Sequence, residues 1–340
     1  MSRVIFGKVQ SEITTHAFLL RKISNLKKAG IRVLKKGGLF LALLGMCGVL
    51  AFLSPVFLTT TNLLNVALHS SVNIMIAVGM TFVIASGGID LSVGSTLAIS
   101  GMVTADILVR GGGLLAGILG GLIIGSICGL SNGYLVTKFK LLPFIATLGM
   151  MSVLRGMALI YHRGTPIFGL PEQFSSLVAG YIGLFPIPVI IATVVVIFSY
   201  IILRYTKTGK YTLVIGESER ATWLAGINVN RYKLVVYSIS GFLAGLGGVV
   251  LTARMRAAEP IAGFMYELDA IAAVIMGGTS LMGGDANLAG TVVGALIIGV
   301  VRNGLNLLGV QAFYQRVVIG AVVIIAVAVD MMKKKPSFQV

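Results

Sequence analysis

Asp90 is the first carboxylate after Glu12, and it stands in a stretch, Ser86-Gly-Gly-Ile-Asp-Leu-Ser-Val-Gly-Ser95, set among residues almost free of charge. An acid so placed has three chemistries open to it. It can cap a helix, bind a polar solute, or carry a coupling ion. Gly87 and Gly88 interrupt one apolar run and Leu91 opens the next, so Asp90 falls where an N-cap is expected. There its carboxylate would face the free N–H groups of Ser92 and Val93, and the glycines would supply the sharp turn.

Other polar residues punctuate the apolar runs. Asn73, Thr81, Asp90, Ser92, Thr279 and Ser280 are the candidates for a translocation pathway. Hydroxyls and amides suit a neutral, hydroxylated solute better than an ion or a lipid, and they equally suit hydrogen bonding between helices. Glu267 and Asp269, in Tyr-Glu-Leu-Asp-Ala-Ile-Ala-Ala (266–273), sit where a helix N-terminus is expected and would complement its dipole.

Several chemistries lack their residues. No G-x-x-x-x-G-K-[ST] loop, Ser/His/Asp set or H-E-x-x-H motif occurs. His16, His69 and His162 have no metal-ligand spacing, so no metal site is expected. Cys47 and Cys128 lie in apolar runs and imply no disulfide framework. The chain reads as a conduit, not an enzyme, with no cofactor of its own.

The elements that must position these residues are membrane helices. Of 340 residues, 56% are hydrophobic and 11% charged, against about 25% charged in a soluble domain; mean hydropathy is +0.98. The apolar runs are continuous, not alternating, which favours helices over a barrel. They predict an all-α polytopic membrane protein of about ten transmembrane helices, at 38–57, 62–85, 91–109, 114–136, 142–161, 188–203, 234–253, 267–284, 288–310 and 315–332. The eighth is short and glycine-rich, open to a re-entrant reading. The chain divides into a basic, partly amphipathic N-terminal segment (1–37), a membrane domain (38–332) containing a basic segment at 204–233, and a tail (333–340).

An even count places both termini on one side. The net charge is +16, and residues 1–36 hold nine Lys/Arg and one Glu. Together with 204–233 and Lys333–Lys335 they mark that side as cytoplasmic. These clusters flank spans, so they read as topology signals and contacts with membrane lipid, not as a nucleic-acid surface.

Three patterns organise the domain. Gly117, Gly121, Gly125, Gly129 and Gly133 recur every fourth residue and form one stripe for close helix packing, with the partner helix open. The 204–233 segment has a helix-like centre at Glu217–Ile227, followed by Asn228, and holds the only tryptophan, Trp223. Residues 83–101 and 274–292 echo each other, each running through paired glycines into a polar break, which suggests an internal duplication.

Five blocks carry a resemblance: VGMTFVIASGGIDLSVGS (78–95), PFIATLGMMSVLRGMALIY (143–161), ATWLAGINVNRYKLVVYSISG (221–241), YELDAIAAVIMGGTSLMGG (266–284) and NGLNLLGV (303–310). From about Phe52 to Asp330 the chain resembles the permease subunits of ATP-binding-cassette monosaccharide importers, the ribose type most closely. The resemblance implies ten helices per subunit, a second permease copy or a paralogue, ATPase subunits inside that bind ATP and Mg, and a soluble or lipid-anchored sugar-binding protein outside, at a bacterial inner membrane. It also implies that Gly216, Glu217, Arg220, Ala221, Ala225, Gly226, Ile227 and Asn228 form the segment that docks into an ATPase cleft. The rival is an ion-coupled secondary transporter of a small polar solute, with Asp90 as the ion site.

Overall fold

The computed structural model describes residues 37–311, 313–321 and 324. The expected amphipathic N-terminal segment, most of the span at 315–332 and the basic tail lie outside them. The chain divides into two compact units at Gly48/Val49. Helix α1 spans Gly37–Leu53, and the second unit begins at Val49.

Two long helices form the centre of this unit. α2 (Thr60–Ala85) starts at Thr59, whose side chain accepts from the Asn62 N–H at 3.3 Å, and every residue from Ser70 to Ala85 is buried. A helix apolar on all sides belongs inside a bundle. α10 (Val229–Met255) starts at Asn228, whose side chain accepts from the Arg231 N–H at 3.0 Å, and it packs against α2, α3 and α4. Around this pair stand α3 (Val93–Val109), α4 (Leu114–Lys138), α5 (Pro143–Tyr161) and α7 (Ile187–Tyr205). Proline in the first turn starts α5 and α7, where its missing N–H costs nothing. Both helices leave most apolar side chains on the outside, as lipid-facing helices do.

Short elements fill the connections. The 162–187 loop carries a short helix, α6 (Glu172–Ala179), and a two-stranded hairpin, β1 (Tyr181–Ile182) with β2 (Phe185–Pro186). The basic segment folds as α8 (Lys207–Glu217) and α9 (Glu219–Leu224). α11 (Tyr266–Met276) and α12 (Leu288–Leu307) pack on each other and on α2.

The count of about ten crossing helices is not met among the described residues. Six helices are long and apolar enough to cross a membrane: α2, α4, α5, α7, α10 and α12; α1 and α3 are shorter apolar helices. The span expected at 267–284 is also corrected. α11 ends at Met276 after 11 residues, a rise of about 16 Å against a hydrocarbon core of about 30 Å. Gly278, at φ +90°, takes the chain out of the helix there.

Candidate functional site

Asp90 lies between α2 and α3, 1% exposed, at the centre of a hydrogen-bond network. Its Oδ1 accepts from the Ser92 N–H at 3.0 Å, the Ser92 hydroxyl at 2.8 Å and the Asn132 amide on α4 at 3.1 Å. Its Oδ2 accepts from the Ser240 hydroxyl on α10 at 3.1 Å. The Asn132 amide also donates to the Ser92 hydroxyl at 2.7 Å. The capping geometry is thus only half of what was expected. Ser92 itself takes the N-cap position of α3, and Asp90 receives one backbone N–H, not that of Val93. The carboxylate spends most of its acceptor capacity joining three helices. Such a buried acid is tolerable because its partners are buried with it.

The preceding loop is fixed in the same way. The Thr147 hydroxyl on α5 donates to the Ile89 carbonyl at 3.2 Å, and Tyr237 Oη on α10 donates to the same oxygen at 3.4 Å. Gly87 has φ +77°, and a Cβ on Gly88 would stand 2.6 Å from Tyr237 Oη. One glycine is needed for the backbone angle and the other for the close approach.

The six pathway candidates do not converge. Asp90 and Ser92 belong to the network just described. Thr81 donates to Ala77 O at 2.8 Å and meets the Thr291 hydroxyl at 3.0 Å, tying α2 to α12. Thr279 accepts from the Asn287 N–H at 3.0 Å, and Ser280 from the Met282 N–H at 3.3 Å, both within the connection after α11. Asn73 lines a cavity.

The glycine stripe finds its partner in the same chain. A Cβ on Gly125 would lie 2.5 Å from Gly241 O and 2.7 Å from Gly245 Cα; one on Gly129 would run into Tyr237 O. Gly133 meets Leu234, also on α10, while Gly117 and Gly121 approach Leu108 and Thr104 of α3. The backbones of α4 and α10 therefore touch, the arrangement small residues permit.

The segment 216–228 departs from the single helix expected over Glu217–Ile227. Ser218 breaks it and caps α9 by accepting from the Ala221 N–H at 3.2 Å. The Thr222 hydroxyl donates to Val214 O at 3.0 Å and Lys233 pairs with Glu219, so the short helix is held to α8 and α10. Gly226 turns the chain at φ +80°, and Asn228 caps α10. Glu217, Arg220, Ala221, Ala225, Gly226 and Asn228 are exposed; Gly216 and Ile227 are half-buried. Trp223 and Leu224 are 68% and 70% exposed, two large apolar side chains side by side.

Gly216 links this segment to both sequence echoes. A Cβ there would run into the carbonyl of Ala85 and the N–H of Gly284, and Gly283 lies against Gly216 on the other side. The break after α2 and the break after α11 thus meet on the end of α8.

Sequence reasoning missed the ion pair between Asp269 and Arg302. Glu267 and Asp269 do stand in the first turn of α11, as expected, and the Asp269 carboxylate in addition faces the Arg302 guanidinium on α12. An arginine inside an apolar run was the available signal, since such a charge needs a partner in a membrane.

A bundle of apolar helices with buried polar breaks and an exposed basic segment defines a multi-pass helical membrane protein. The chain belongs to the branched-chain amino acid transport system / permease component family, whose model matches residues 62–327. It is 46% identical over 303 residues to the ribose import permease protein of Bacillus subtilis (strain 168), covering 88% of this chain and 94% of that one. It is 44% identical over 300 residues to the ribose import permease protein of Escherichia coli (strain K12), covering 86% and 93%. To the D-allose transport system permease protein of the same organism it is 41% identical over 302 residues, covering 88% and 93%. No solved structure matches the chain.

Proposed function

We propose that this chain is the membrane-spanning permease subunit of an ATP-binding-cassette importer, and that it moves a monosaccharide, ribose or a close relative. The observation that carries the reading is the 44–46% identity to ribose import permeases along nearly the whole of both chains. The arrangement at α8 and α9 supports it. An exposed Trp223–Leu224 pair on a basic segment gives a partner ATPase something apolar to seat, and Gly216 gives that contact a path to the breaks after α2 and α11.

In this reading ten segments cross or enter the membrane, with α11 as a half-crossing one, and the 83–101 and 274–292 echoes are remnants of a duplication. Both termini and α8–α9 face the cytoplasm of a bacterial cell. ATP and Mg act on the partner subunits, a binding protein delivers sugar at the opposite face, and a second permease copy or a paralogue completes the channel. Movement at α9 is passed through Gly216 to the two breaks, which changes the side to which the pathway opens. Asn73, Thr81, Asp90, Ser92, Thr279 and Ser280 remain the pathway candidates.

The test is uptake of labelled D-ribose into liposomes holding the permease with its ATPase and binding protein. Uptake that needs ATP and all three components is expected. Uptake by the permease alone under an ion gradient would overturn the reading in favour of the secondary transporter. Trp223→Ser separates docking from folding, because the Trp223 side chain is 68% exposed and its loss opens no cavity inside the chain. It should abolish ATPase association while the permease remains in the membrane.

A further inference from the structure

At the end of the bundle opposite α8 and α9, the first half of α2, the last turn of α10, the start of α11 and the second half of α12 enclose a cavity of about 340 Å³. Its size lies at the lower end of small-molecule sites, about 300–1,000 Å³. Among the described residues, six buried side-chain polar atoms have no hydrogen-bond partner, and three of them belong to residues lining this one cavity: Ser70 Oγ, Asn73 Oδ1 and Arg302 Nε. Ser70 and Asn73 are 2% and 8% exposed. Buried polar atoms are almost always paired, so a cluster of orphans needs an explanation.

The three atoms differ in what they need. The Arg302 Nε–H can only donate, the Asn73 Oδ1 can only accept, and the Ser70 hydroxyl can do both. A bare anion would satisfy the first and repel the second; a bare cation would do the reverse. Hydroxyl groups satisfy all three. Tyr266 contributes an aromatic wall, with the Arg302 guanidinium 5.9 Å from its ring centre. Asp269 pairs with Arg302 and offsets its charge without entering the cavity lining. Asn306 is held towards the same space by Gln315, whose amide donates to it at 2.7 Å.

We propose that this cavity is a polyol-binding subsite of the permease, in which Ser70, Asn73 and Arg302 take the hydroxyls of a monosaccharide. The proposal rests on the sugar-import reading and adds to it the place where the membrane subunit first holds the solute. Among the pathway candidates it selects Asn73, and it brings in Ser70 and Arg302, which composition alone did not single out.

The experiment uses the reconstituted importer with D-ribose as probe and inorganic phosphate as the anionic control. Saturation-transfer NMR on the permease–ATPase complex without the binding protein reads binding to the permease, and ATP-driven uptake by the complete importer reads transport. Ser70→Ala and Asn73→Leu should each reduce the D-ribose transfer signal several-fold and lower maximal uptake, with ATPase association intact. Phosphate should give no signal. Ser70→Ala removes a hydroxyl with no partner, so in the absence of sugar it should leave the thermal midpoint unchanged or raise it; it therefore decides the matter even if Asn73→Leu folds poorly. A D-ribose signal and uptake at wild-type level in Ser70→Ala would overturn the subsite and mean that water alone fills the cavity. An importer that moves no sugar at all, even unmodified, would instead defeat the functional reading.

Discussion

The backbone N–H of Gly284 donates to the carbonyl of Ala85 at 3.0 Å, joining the connection after α11 to the last residue of α2. Gly216 is pressed into this junction from α8, where a Cβ would run into the Ala85 carbonyl and the Gly284 N–H, so a side chain at 216 has nowhere to go. Gly216→Val should therefore displace α8 from both breaks at once. Overpacking of this kind costs about 1–3 kcal/mol. The expected outcome in the reconstituted importer is continued ATP hydrolysis with D-ribose uptake reduced by about tenfold, the equivalent of about 1.4 kcal/mol on the transport barrier. Uptake and hydrolysis falling in equal proportion would show that Gly216 serves assembly and not transmission.

Replacing Asp90 tests the polar network. Asp90→Ala removes the acceptor of the Ser92 N–H and of the Ser92 and Ser240 hydroxyls, and leaves the Asn132 amide only its contact with the Ser92 hydroxyl; each buried group left unpaired costs about 1–3 kcal/mol. Asp90→Asn keeps an oxygen for the Ser92 N–H and a group that the rotatable Ser240 hydroxyl can meet. Thermal unfolding in detergent should rank wild type above Asn and Asn above Ala. If Asn and Ala are equally damaged, the negative charge itself is required, and the network account fails.

The α4–α10 contact makes a positional prediction. At Gly129 a Cβ runs into Tyr237 O, whereas at Gly149 on α5 nothing lies within 4 Å. Gly129→Leu should reduce the folded protein recovered by size-exclusion chromatography, by a destabilisation of about 1–3 kcal/mol, and Gly149→Leu should be near neutral. Equal tolerance at both positions would mean that the two backbones do not touch.

Some of this was legible in the sequence for simple physical reasons. The stripe from Gly117 to Gly133 has the four-residue period of a helix face, so its packing role was visible, although its partners on α3 and α10 were not. Gly87 and Gly88 advertised a break, and the break is there. The partners of Asp90 were hidden, because Asn132 and Ser240 look like any other polar residue in an apolar run and only the fold brings them to the carboxylate. The early end of α11 was partly legible: Gly277, Gly278 and the polar Thr279–Ser280 follow Met276 and left a re-entrant reading open, although hydropathy alone does not distinguish a helix from an extended chain buried within protein. The convergence of Ser70, Asn73 and Arg302 on one cavity had no local signature, since they come from two helices far apart in the chain.

The Asp90 network also has an order in time. A ribosome delivers Asn132 42 residues after Asp90 and Ser240 150 residues after it. While the earlier helices leave the translocon, the acid has Ser92 as its neighbour and lacks the donor that α10 will bring. A charged group at the centre of a lone inserted helix costs about 2.5–3.5 kcal/mol on the insertion scale. α2 and α3 are therefore best inserted as a hairpin whose corner stays near water, and the corner is sealed only when the second half of the protein has been made.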